Sequence, residues 1–142
     1  MQKIIILSIL LIVFNVSVFS QTIYKDSINT DFIEFGTGGG FSGESKNYVL
    51  TQTGELYIIK NILTDKNSLV YLKKIKSCSV KKIFKFTNKK KIIEIRYNEP
   101  GNIFHYIQLS INNKKNNLVW GSTNSTPPEN VIILSTKLYN LL

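Results

Sequence analysis

Apolar residues are first concentrated in one run near the start of the chain and then fall into shorter periodic groups. Ile4 to Phe14, IIILSILLIVF, is an apolar run behind Lys3 with Ser8 as its one polar residue. It has the length of a secretory h-region, is interrupted at Asn15, and falls short of the roughly 18 residues that a membrane-spanning helix needs. Val18 and Ser20 occupy the −3 and −1 positions of a cleavage site before Gln21. Residues 1–20 therefore read as a signal peptide and residues 21–142 as a single α+β domain, secreted or periplasmic, with no stable membrane span after cleavage. A lipoprotein would need a cysteine just after the apolar run, and the only cysteine is Cys78.

Beyond Gln21 the spacing changes from element to element. Asp31 to Phe35 reads as a short strand leading into a glycine loop. Asn47 to Thr51 and Glu55 to Ile59 read as a hairpin around Thr53-Gly54, with Tyr48, Leu50, Leu56 and Ile58 on one face. Leu69 to Ile75 is ambiguous and reads as extended. Over residues 79–88, Val80, Ile83, Phe84 and Thr87 fit helical spacing, with Ser79 as N-cap and lysines on the other side; a competing strand reading pairs Phe84 with Phe86.

Ile92 to Tyr97 and Ile103 to Ile111 alternate as antiparallel strands do, joined by a turn in which Pro100-Gly101 suits type II geometry. A short strand from Leu118 to Trp120 follows the polar turn Asn112 to Asn117. Thr126-Pro127-Pro128-Glu129 has capping-box spacing, and Val131, Leu134, Leu138 and Leu141 then form an apolar stripe. The expected fold is an antiparallel sheet covered by a C-terminal helix, Pro127 to Leu141, and one further helix.

Charge adds a local feature to this picture. After Lys3 is removed, seventeen Lys and Arg stand against nine acids, and ten of the cations lie between Lys66 and Lys91 with no acid among them. Such a face attracts anions. Only Arg96 is an arginine, the residue suited to bidentate phosphate contact, and export removes most nucleic-acid partners. A monomer with one cysteine forms no internal disulfide, and Cys78 reads as a small buried hydrophobe.

The stretch EFGTGGGFSGES, Glu34 to Ser45, holds five of the eight glycines. Gly38 to Ser45 has P-loop spacing, but Glu44 stands where a lysine must neutralise phosphate. Gly38, Gly40 and Gly43 satisfy GxGxxG, yet a hairpin follows where a dinucleotide site needs a helix. A kinase glycine loop lacks its other signature elements here, and Gly40 to Glu44 misses the last glycine of GxSxG, which leaves Ser42 a poor nucleophile. His105, the single histidine, alternates with Ile103, Ile107 and Leu109 and reads as a packed core residue. Asp31 and Glu34 lie three apart, on opposite faces of a strand, so no paired-carboxylate chemistry is indicated. The reading is non-enzymatic, with no catalytic residue, metal, cofactor, nucleotide or nucleic acid.

The series FGxGGGFSG at Phe35 to Gly43, with Tyr48, the Gly54 turn, YNEPGN at Tyr97 to Asn102, VWG at Val119 to Gly121 and a proline-led closing helix, resembles a group of small exported bacterial proteins without assigned function. That likeness covers nearly the whole chain after the signal peptide. More distantly, the element order and Gly39-Gly40-Phe41-Ser42-Gly43 are similar to emfourin, a small inhibitor of thermolysin-like metalloproteases; this chain is longer. The resemblance implies a protein-binding module that acts as a protease inhibitor through its glycine-rich loop. Gly36, Gly38, Gly39, Gly40, Phe41, Ser42 and Gly43 are then the partner-binding residues, with Phe41 as an aromatic anchor. The alternative is an envelope-associated protein that binds anionic polymers through its lysine-rich face.

Overall fold

In the second strand Ile33 and Phe35 turn to one side and Glu34 to the other, and all three are buried. This strand is the middle of the molecule. The computed structural model describes residues 23–40, 45–61 and 67–142; residues 1–20, with the signal-peptide reading, lie outside them. The strands are β1 (Ile23–Tyr24), β2 (Phe32–Gly39), β3 (Asn47–Thr51), β4 (Glu55–Asn61), β5 (Asn67–Lys74), β6 (Asn98–Glu99), β7 (Ile103–Ile111) and β8 (Lys114–Trp120). The helices are α1 (Ser77–Lys89) and α2 (Glu129–Tyr139). The described strands form one sheet in the order β1-β5-β4-β3-β2-β7-β8-β6, antiparallel throughout except for the short β6–β8 pair. The fold is α+β, with the last helix near the C-terminus.

Both helices contribute to the core on one face of this sheet. Ile33 pairs with Leu50 on one side and Leu109 on the other, and Leu50 pairs with Leu56. Since side chains of directly paired residues share a face, these strands present one apolar surface. Val80, Ile83 and Phe84 of α1 and Val131, Leu134 and Leu138 of α2 pack on it. On the opposite face a smaller cluster of Val49, Ile59 and Leu69 is joined by Ile28 and Phe32.

Several elements differ from the sequence reading. The strand expected to stop at Phe35 continues to Gly39, so three of the glycines assigned to the loop are in the sheet. The helix over 79–88 is present and buries the four residues its spacing named, but it starts at Ser77 with Lys76 at the N-cap and no side-chain cap. Phe86 is only partly buried, under the ammonium of Lys137 at 5.5 Å.

Ile92 to Tyr97 is not a strand. Lys91 turns the chain at φ 51, a 3-10 turn spans Ile92–Glu94, and only Asn98–Glu99 pair, with β8. Both edges of β7 are already taken, by β2 and β8. The 92–95 backbone is held instead by the Asn116 side chain, whose Nδ2 donates to the carbonyls of Ile92 at 3.3 Å and Ile95 at 2.7 Å. Gly101 does not have the positive φ that a type II turn requires. The polar turn before β8 is only Asn112-Asn113, with φ of 51° and 60°, and β8 starts at Lys114 rather than Leu118. Such left-handed pairs suit two-residue hairpins.

The capping box at Thr126 does not form. Pro127 precedes another proline and is driven towards extended backbone, and Pro128 takes the N-cap place with no side-chain cap, so α2 runs Glu129–Tyr139. Cys78 is exposed, not buried. No helix among the described residues is long and apolar enough to cross a membrane.

Candidate functional site

The glycines of β2 lie between two strands that need the space a side chain would fill. Gly36 pairs with Asn47 of β3 and with Tyr106 of β7, and Gly38 pairs with Phe104. A Cβ on Gly36 would come within 2.4 Å of the Asn47 side chain and 2.5 Å of the Lys46 carbonyl; on Gly38 it would meet Phe104 Cζ at 2.6 Å. Gly36 and Gly38 thus seat polar and aromatic neighbours on the face away from the helices.

The next two glycines change the direction of the chain. Gly39 and Gly40 have φ of 82° and 80°, a conformation open to glycine at little cost. The Gly40 amide donates to the carbonyl of Asn102 at 2.8 Å, and Ile103 Cγ1 stands 3.5 Å from where a Gly40 Cβ would be. Ile103 is 63% exposed, the most exposed large hydrophobic residue described. The remaining residues assigned to partner binding, Phe41, Ser42 and Gly43, lie outside the described residues.

Below this tip, the open face carries a buried carboxylate. Glu34 is 6% exposed. Its Oε1 accepts a hydrogen bond from the Tyr106 hydroxyl at 2.8 Å, and its Oε2 sits against the Lys25 ammonium as an ion pair rather than an aligned hydrogen bond. Lys25 also donates to Gln108 Oε1 at 3.3 Å. With its amide oriented to satisfy its neighbours, Asn47 donates to the Thr37 carbonyl at 3.0 Å and to Tyr106 Oη at 3.2 Å. Burial first, and then the Glu34 charge, pushes the Tyr106 phenol far above its ordinary pKa. Tyr106 therefore acts as a neutral donor that ties β7 to β2. Beside Lys25 is a concavity of about 360 Å³, lined also by Phe32, Gln108, Ser110 and Lys115.

On the helix side of the same sheet end, His105 and Trp120 face each other as a cross-strand pair, stacked at 5.6 Å with 18° between the rings. Tyr139 of α2 meets His105 edge-on at 6.4 Å and Phe35 at 5.4 Å. Its hydroxyl is buried without a hydrogen-bond partner, and burial raises its pKa. A shallow recess of about 400 Å³ opens between His105, Trp120 and the last turn of α2. His105 shares its strand face with Ile107 and Leu109, as its spacing implies, but is exposed because it lies beyond the buried part of the strand. The expectation of a packed core histidine is corrected accordingly.

The glycine run connects two antiparallel strands, β2 and β3, rather than a strand and a helix. Among the described residues no group of three His, Cys, Asp or Glu is placed to hold a metal ion. Sequence reasoning passed over Ile103, Tyr106, Asn47 and Lys25. The signal for the last three was Glu34 itself, an acid between two apolar residues of a strand, which must find partners if buried. In comparisons with known proteins, no family model and no curated protein matches the chain.

Proposed function

We propose that this chain is an exported protein-binding module, that its partner is a protease or other envelope protein, and that it acts by presenting the glycine-rich tip of β2. The observation that carries this reading is Ile103, 63% exposed beside two left-handed glycines at the end of the central strand pair. An exposed branched hydrophobe next to backbone that can approach a surface closely offers the apolar area that the buried centre of an interface uses. The sequence continues from Gly40 into Phe41, an aromatic of the kind that dominates interfaces. Inhibition by shape needs no catalytic group, which suits the sparse inventory of His and Cys. The resemblance to emfourin selects the partner class, a thermolysin-like metalloprotease.

The test is inhibition of such a protease by the purified protein. The expected result is dose-dependent inhibition that Ile103→Asp and Phe41→Ala each weaken by about 2 kcal/mol, the hot-spot threshold, with melting curves unchanged. Absence of inhibition rules out the metalloprotease as partner. Inhibition that survives both substitutions places the contact surface away from this tip.

A further inference from the structure

The outer face of α1 goes beyond that reading. Lys81, Lys82, Lys85 and Lys89 are all exposed, and at 100° per residue they fall within one arc opposite the buried Val80, Ile83, Phe84 and Thr87. Lys81, Lys85 and Lys89 follow one another at four-residue intervals, so each ammonium is the next one's neighbour along the helix. Like charges in that arrangement oppose helix formation, and no acidic residue of the helix offsets them, although Lys89, in the last turn, is favourably placed at the negative end of the dipole. The first turn holds no acid, and a further lysine, Lys76, occupies the N-cap, at the positive end of the helix dipole. Of the lysines on the strand that leads into α1, Lys74 pairs with Glu55 and Lys73 donates to the Leu142 carbonyl. The four on the outer face of α1 meet no acid among the described residues.

We infer that α1 is a docking surface for a linear, non-nucleic polyanion laid along the helix. Three features select that class. The charges form a line, which matches a chain of regularly repeated anionic groups. All four are lysines, which attract as point charges and do not read the planar geometry of each anion as arginine would. The arc contains no aromatic side chain on which bases could stack, as single-stranded nucleic acid binders use. It also lacks the apolar side chains by which an amphipathic helix enters a lipid interface. The unneutralised repulsion on the free helix is relieved when the polyanion binds.

Inorganic polyphosphate serves as the probe, titrated with the purified protein over a range of salt concentrations. Binding should weaken steeply as salt rises, because counterions are released from the polymer. The triple substitution Lys81→Gln, Lys85→Gln, Lys89→Gln should reduce affinity at least tenfold and flatten the salt dependence, with the melting temperature unchanged or raised. Lys60→Gln, Lys114→Gln, Lys115→Gln removes the same charge from the sheet and should alter affinity less than twofold. Equal losses from the two triples would show that only net charge matters and overturn the proposal, as would undiminished binding by the α1 triple. Vesicles of anionic lipid, or an oligonucleotide, bound more tightly than polyphosphate through the same three lysines would replace it with a membrane or nucleic-acid surface.

Discussion

Tyr106 and Asn47 meet over the bare backbone of Gly36, the Asn47 amide donating to the tyrosine hydroxyl at 3.2 Å while that hydroxyl donates to Glu34 at 2.8 Å. The two residues are on different strands, and the strand between them carries no side chain at that point. A glycine in the middle of a sheet weakens the strand locally. Here its position lets a polar chain link β3, β7 and β2.

Gly36→Ala should therefore destabilise the fold by about 1–3 kcal/mol, as overpacked sites do, measured by urea unfolding. Adding Asn47→Ala should restore only part of the loss. The Lys46 carbonyl, 2.5 Å from the added methyl, is backbone and would still need to move. A double variant as stable as the wild type would show that the side chain alone sets the limit.

Leu134 and Leu138 are fully buried against the sheet. Either one changed to alanine should cost about 2–5 kcal/mol, lost transfer energy plus the cavity left behind. Ile132, on the same helix and 42% exposed, is the internal control. Its alanine variant should melt close to the wild type, since a half-exposed side chain loses less contact.

Glu55 sets an acid limit. Its carboxyl is held at about 2, first by Lys74 and then by the hydroxyls of Thr51 and Thr53, against an ordinary value of 4.5. The unfolded chain thus takes up this proton at a higher pH than the folded one. The contribution of Glu55 to stability is complete above about 4.5 and is lost as pH falls from there towards 2. Lys74 is more than half exposed, so solvent screening reduces the size of the effect. Stability measured for Glu55→Gln and wild type should differ most above pH 4.5 and converge towards pH 2; a difference that stays constant across that range would show the carboxylate charge is not involved.

Wherever one face of an element had to be apolar, its period in the sequence determined it. Val80, Ile83, Phe84 and Thr87 mark α1, Val131, Leu134 and Leu138 mark α2, and Tyr48, Leu50, Leu56 and Ile58 mark a hairpin face on which Tyr48 pairs with Ile58 and Leu50 with Leu56. Burial on one side is a local constraint, and spacing records it. Ile92 to Tyr97 alternates as well as a strand does, but strand formation needs a partner edge, and β7 had already given both of its edges to β2 and β8. Gly36, Gly38 and Gly39 looked like loop because glycine is compatible with both loop and sheet. Only the neighbours that pairing brings alongside, Asn47 at Gly36, Phe104 at Gly38 and the Asn102 carbonyl at Gly39, decide that side chains must be absent there. The exposure of Ile103 and His105 has the same origin. They continue the alternation of a buried strand, and where the covering helix stops is a property of the packed molecule, not of the strand.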